Sequence, residues 1–167
     1  MDLKIKNKIA LVTGSGRGIG DGICETLALE GVQVIAVSRG KEGLDKLYKK
    51  INKEKKHIFL QKDLENQNEV FSLIKYIEDE KLYPDIIVNN VGGNLGYTDP
   101  LQTLVGWQKV MHLNVEVGIA INEAFIPNMI KNKWGRICHI SSISALENQG
   151  PPSYCAAKAA LNAYVRS

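Results

Sequence analysis

The strongest constraint on this chain is an alternation. Five short, mostly apolar runs, "KIALVTG" (8–14), "VQVIAVS" (32–38), "HIFLQKDL" (57–64), "PDIIVNNVG" (84–92) and "GRICHISSIS" (135–144), are each followed by a longer stretch. Those stretches carry apolar residues at helical spacing: 19–31, 41–53, 66–80, about Leu104 to Asn132, and a last helix from near Ser153. Apolar strands that alternate with helices are buried on both faces and pair in parallel. The pattern predicts an α/β fold, a doubly wound parallel sheet of the Rossmann type with about five strands. No repeat, low-complexity tract or linker interrupts it, and 167 residues suit one domain, 1–167. In such sheets ligands bind beyond the C-terminal strand ends, so the chemistry should sit there.

The first strand end reads "TGSGRGIG", with glycines at 14, 16, 18 and 20. The spacing GxGxxG is absent, and TGxxxGxG fits through Gly14, Gly18 and Gly20. Glycines allow a tight turn and close backbone approach, and the following helix offers free N–H groups and the positive end of its dipole to a pyrophosphate. At the second strand end, where an acid would accept bonds from a ribose 2′-hydroxyl, the chain has Ser38 and Arg39. A guanidinium there can pair with a 2′-phosphate, and Arg17 in the glycine turn is a second cation within reach of it. The two together point to NADP(H) rather than NAD(H).

Composition removes other classes. The net charge is +3, and the lysine cluster "KLYKKINKEKK" is broken by Glu54 and lacks interleaved aromatics, so it reads as a solvated helix end rather than a nucleic-acid surface. No apolar run approaches ~18 residues, so no membrane span is expected, and "MDLKIKNKIALVTG" lacks the apolar core of a signal peptide. Cys24, Cys138 and Cys155 are widely spaced, and His57, His112 and His139 are scattered; no metal site is expected, and a reduced, cytoplasmic setting fits. Trp107 and Trp134 read as packing.

Near the end, Tyr154 and Lys158 lie four residues apart, on one face of the last helix. An ammonium beside a phenol favours the phenolate, and a phenol so placed can give or take a proton. With "NNVG" after strand four, Asn114 in "MHLNVEVG" and "SSIS" after strand five, the ordered set resembles the short-chain dehydrogenase/reductase family. It is similar to the compact branch that contains 3-oxoacyl-carrier-protein reductases. The extended branch of sugar-nucleotide epimerases uses TGxxGxxG, which this chain lacks. The motifs span Thr13 to Lys158.

The resemblance implies an NADP-dependent carbonyl or alcohol oxidoreductase. It makes Tyr154 the general acid/base, Lys158 the residue that binds the nicotinamide ribose and assists the tyrosine, and Asn114 the holder of a relay water. Ser142 would bind the substrate oxygen, with Ser141 as the alternative: Ser142 lies 12 residues before Tyr154 and Ser141 lies 13 before. Cofactor contacts are implied at Thr13, Gly14, Ser15, Arg17, Gly18, Ile19, Gly20, Ser38, Arg39, Asp63, Leu64, Asn90 and Gly92, besides Tyr154 and Lys158. Asn89 reads as structural and Cys155 as filler. The resemblance also implies a homodimer or homotetramer and a small-molecule carbonyl or alcohol substrate. Family members run to ~250 residues, so C-terminal strands and the substrate cover are expected to be missing, with stability and turnover reduced accordingly. A non-catalytic NADP(H)-binding module is the competing expectation.

Overall fold

The computed structural model describes residues 3–51, 57–147 and 149–167. Five strands, β1 (Ile9–Thr13), β2 (Gln33–Ser38), β3 (Ile58–Gln61), β4 (Ile86–Asn89) and β5 (Arg136–His139), form one parallel sheet in the order β3-β2-β1-β4-β5. Six helices follow or separate them: α1 (Gly18–Leu29), α2 (Lys41–Ile51), α3 (Gln67–Asp79), α4 (Leu104–Met111), α5 (Val117–Lys131) and α6 (Pro152–Arg166).

Alternation along each strand sorts its side chains onto two faces. Leu11, Ile35, Val37 and Ile87 pack against Val70, Leu73, Ile77, Ile121 and Phe125 of α3 and α5. Ala10, Val12, Val34, Ala36, Ile86 and Val88 pack against Cys24, Leu44, Leu47 and Ile51 of α1 and α2. Such two-sided burial explains why β1, β2 and β4 are apolar except at their ends, where Thr13, Gln33, Ser38 and Asn89 stand. A smaller cluster of Val110, Val115, Ala157 and Leu161 seats α6 against the α4–α5 segment. The chain moves outward from β1 to β3 and then crosses to the other side of β1 for β4. The resulting switch point between β1 and β4 opens a crevice at the strand ends.

Several expected boundaries shorten. β3 stops at Gln61 because Asp63 begins a turn, its carbonyl accepting from Asn66 N (3.0 Å) and its Oδ1 from Glu65 N (3.1 Å). β4 stops at Asn89 because Asn90 N donates to Thr13 Oγ1 (3.0 Å) instead of to the ladder. β5 stops at His139, and Ser142 then caps a short 3₁₀ turn, Ile143–Ala145. α2 is described to Ile51; the expected continuation to Lys53 and the rest of the lysine cluster through Lys56 lie outside the described residues.

The segment Leu104–Asn132 is helical throughout but not uniform. A π turn, His112–Glu116, separates α4 from α5, and Val117 N donates to the carbonyl of His112, five residues back. Asn114 Nδ2 takes the Val110 carbonyl (2.8 Å), so a side chain is inserted where the helical ladder would run, a recognised cause of such a turn. His57 is structural: its Nδ1 accepts from Val34 N at 3.1 Å. Trp134 packs beside the α1–α2 core, with Lys8 Nζ over its ring at 4.2 Å. No described helix is long and apolar enough to cross a membrane, and no group of three potential metal ligands occurs among the described residues.

Candidate active site

The crevice is a cleft of about 1190 Å³ lined by Gly14, Arg17, Gly18, Ile19, Ser38, Arg39, Asp63, Leu64, Asn90 and Gly92, among others. Thr13 and Ser15 lie beneath it, each 0% exposed, and Gly20 is buried at the start of α1. The glycine turn is shaped by close contacts. Gly14 has φ +67, and a Cβ there would stand 2.8 Å from Asn90 Nδ2; a Cβ on Gly20 would collide with the Gly14 carbonyl. Asn90 Nδ2 donates to the carbonyls of Thr13 and Gly14 (both 3.0 Å), and Thr13 Oγ1 accepts from the N–H groups of Asn90 and Val91 (3.0 and 3.1 Å). The ends of β1 and β4 are thereby locked together. Arg17 precedes α1 without a side-chain cap, so the first-turn N–H groups and the dipole face the cleft.

At the far end of the cleft, Ser15 N and Ser15 Oγ donate to the Val37 carbonyl (3.0 Å each), tying the turn to β2. Ser38 sits against Gly16, where any Cβ would overlap its Oγ, and a Cβ on Gly43 of α2 would overlap the Gly16 carbonyl. Gly16 and Gly43 were not singled out from the sequence. A glycine inside the first turns of α2 costs about 1 kcal/mol of helix propensity and was a usable hint of close packing. Arg39 forms an ion pair with Glu65.

Beyond Gly92 the polar groups gather. Asn114, 4% exposed, accepts from Gly93 N (3.0 Å) and donates to Gly93 O (2.8 Å), which fixes the loop after β4 to the π turn. A Cβ on Gly92 would stand 2.6 Å from Asn114 Oδ1 and 3.2 Å from Lys158 Nζ. Lys158 is 3% exposed; its Nζ donates to the Ile140 carbonyl (2.7 Å) and lies 5.7 Å from the centre of the Tyr154 ring. Burial pushes its ammonium down to about 8. Ser142, Tyr154 and Lys158 do not line the cleft itself; Gly92 is the point where Lys158 meets it. The two serines diverge as neighbours on an extended segment do. Ser141 Oγ donates to Asn162 of α6 (2.6 Å), whereas Ser142 Oγ accepts from Ser144 N (3.2 Å).

A buried polar cluster supports this end. Asn89 Nδ2 donates to Asn122 Oδ1 (3.1 Å), Asn122 Nδ2 donates to Tyr164 OH (3.1 Å), and both amides contact His139 Nε2 (3.3 and 3.1 Å). Burial, and next the neighbouring Lys158 charge, lower the His139 pKa from its ordinary value, which favours the neutral ring. Asn122 and Tyr164 carried no sequence signal, because amphipathic spacing alone does not mark a polar residue that points inward.

The model for the short chain dehydrogenase family matches residues 8–167. A 3-oxoacyl-[acyl-carrier-protein] reductase of Buchnera aphidicola is 31% identical over 166 residues, 99% of this chain and 67% of that protein. An uncharacterized oxidoreductase of Staphylococcus epidermidis is 27% identical over 98% of this chain and 71% of its own length. Among solved structures, a 7α-hydroxysteroid dehydrogenase complexed with NADH and 7-oxo glycochenodeoxycholic acid superimposes with a TM-score of 0.89 at 26% identity. The L-sorbose reductase of Gluconobacter frateurii complexed with NADPH and L-sorbose gives 0.88 at 28%. This chain spans 64% of the length of each of those two structures, and they cover 98% of it. Sheet order, glycine turn and sequence matches agree: the chain belongs to the short-chain dehydrogenase/reductase family.

Proposed function

We propose that this chain is the cofactor-binding and catalytic core of an oxidoreductase that moves a hydride between NADP(H) and a carbonyl or alcohol substrate. One observation carries the reading. Lys158 is buried at the end of a glycine-walled cleft, against Gly92 and beside Tyr154, where its charge is costly and a purely structural lysine has no reason to be. A binding module without chemistry would need the cleft but not this pair.

The residues present suit a dinucleotide. Gly14, Gly16 and Gly20 permit the close packing that shapes the turn, Gly18 leaves open space at the start of α1 where a pyrophosphate would lie, and the uncapped N–H groups there are donors for it. Arg39 and Arg17 would bind the 2′-phosphate, Asp63 and Leu64 the adenine, and Asn90, Gly92 and Lys158 the nicotinamide side. When bound, the cofactor supplies the hydride donor or acceptor. Tyr154 gives its hydroxyl proton to the carbonyl oxygen in reduction and takes it back in oxidation, with Lys158 beside it at the cleft end. Ser142 donates a hydrogen bond to the same oxygen, and Asn114 holds the loop and a relay water. Substrate choice is left to a panel of ketones and aldehydes.

The test is a fluorescence titration with NADPH and NADH, followed by NADPH consumption against that panel. An arginine–phosphate pair contributes roughly 1.5–3 kcal/mol, so NADPH should bind about 10- to 100-fold more tightly than it does to Arg39→Ala. No binding of either dinucleotide would sink the reading.

A further inference from the structure

The end of β2 lacks the acid that would accept a ribose 2′-hydroxyl, yet the fold brings one to the same place from the end of β3. Arg39 Nη1 is paired with Glu65 Oε1, and both residues line the cleft. The two segments are fastened to each other as well. Lys62 N donates to the Ser38 carbonyl (3.0 Å) and Gln61 Nε2 donates to the Arg39 carbonyl (3.2 Å). Glu65 is placed by its own backbone, whose N–H donates to Asp63 Oδ1 (3.1 Å). The lysines at this end face different acids: Lys62 pairs with Glu69 (3.1 Å), Lys46 with Glu42 (2.7 Å) and Lys50 with Asp21 (2.5 Å). Glu65 is therefore the carboxylate that meets Arg39.

Resting on the assignment of Arg39 to the 2′-phosphate, we propose that Glu65 sets the preference between the two nicotinamide dinucleotides. It holds Arg39 in an ion pair that a 2′-phosphate must displace and a 2′-hydroxyl need not disturb. A phosphate at this position also meets the carboxylate as a like charge, so NADP(H) binding carries a cost that NAD(H) binding avoids. The two cofactors are brought closer in affinity than Arg39 alone would leave them.

The experiment measures dissociation constants of NADPH and NADH for the wild type, Glu65→Gln, Arg39→Ala and the double variant, with thermal melts as a folding control. Glu65→Gln should tighten NADPH roughly 3- to 10-fold, the size of an exposed ion pair plus one removed like charge, and leave NADH within about twofold. The gain should shrink at high salt. In the Arg39→Ala background the same substitution should gain markedly less, because the competition for the guanidinium is gone. Equal tightening of both cofactors, no tightening, or an undiminished gain without Arg39 would each overturn the proposal. A wild type whose NADPH affinity is unchanged by Arg39→Ala would instead overturn the underlying assignment of Arg39, a result separable from any behaviour of Glu65.

Discussion

Burying Lys158 at 3% exposure moves its ammonium from an ordinary 10.5 to about 8, and the displacement has a sign that can be tested. The folded state disfavours the charged form, so between those two values the unfolded chain binds more protons and stability rises with pH. Below about 8 the whole cost is present, roughly 3 kcal/mol for a shift of this size. Lys158→Met removes the titration. Its melting temperature relative to wild type should therefore be most favourable at pH 7 and should fall as pH approaches 10.5; a difference that stays flat would mean that Lys158 titrates normally. The neighbouring Tyr154 carries a separate expectation. Tyr154→Phe keeps the ring and removes the hydroxyl. It should lower turnover by about 10²- to 10⁴-fold while the NADPH dissociation constant stays within about twofold. Substantial residual turnover would move the acid to another residue.

At the scale of elements, β1, β2 and β4 were legible because two-sided burial leaves unbroken apolar runs through their middles, and α3 because its apolar spacing is regular. Their ends were less so. Asn90 leaves β4 to bond Thr13, a residue 77 positions away, and no local pattern announces such a partner. The π turn at Asn114 was hidden for a similar reason: it arises from one side-chain bond to Val110 and one to Gly93, while the apolar spacing around it still reads as continuous helix. The pairing of Arg39 with Glu65 spans two strands and escaped a reading made strand end by strand end. Gly43 gives the element-scale prediction. Alanine there gains up to about 1 kcal/mol of helix propensity, yet its Cβ would overlap the Gly16 carbonyl and push α2 off the glycine turn. Overpacking of this kind costs about 1–3 kcal/mol, so Gly43→Ala should melt no higher than wild type and should weaken NADPH binding by about tenfold. Gly22 on α1 meets nothing within 4 Å, and Gly22→Ala should raise the melting temperature without touching affinity. Equal behaviour of the two variants would remove the packing argument.

Among the described residues, a helical face and a sheet edge could each join copies of the chain. On α6, Ala156, Ala159 and Ala163 are exposed on one face, where small side chains let another helix approach closely. Leu104 and Val105 of α4 and Ile119 and Ile130 of α5 are exposed as well, at 72%, 57%, 37% and 70%. The second surface is the outer edge of β5, which pairs with no further strand among the described residues and exposes Arg136, Ile137 and Cys138. A free edge pairs with other chains unless a charge discourages it, and Arg136 supplies one at the start of the strand. The helical surface is larger and more apolar, so association through α4, α5 and α6 into a discrete dimer or tetramer is the expected outcome by light scattering. Ala159→Arg places a long charged side chain in the middle of the alanine face and should yield monomers with an unchanged melting temperature at low concentration. Ile137→Lys adds a charge to the β5 edge and should leave the helical oligomer intact while reducing any slow, open-ended aggregation. If Ile137→Lys dissolves the discrete oligomer and Ala159→Arg does not, the copies join through the sheet edge and the helical faces are solvated.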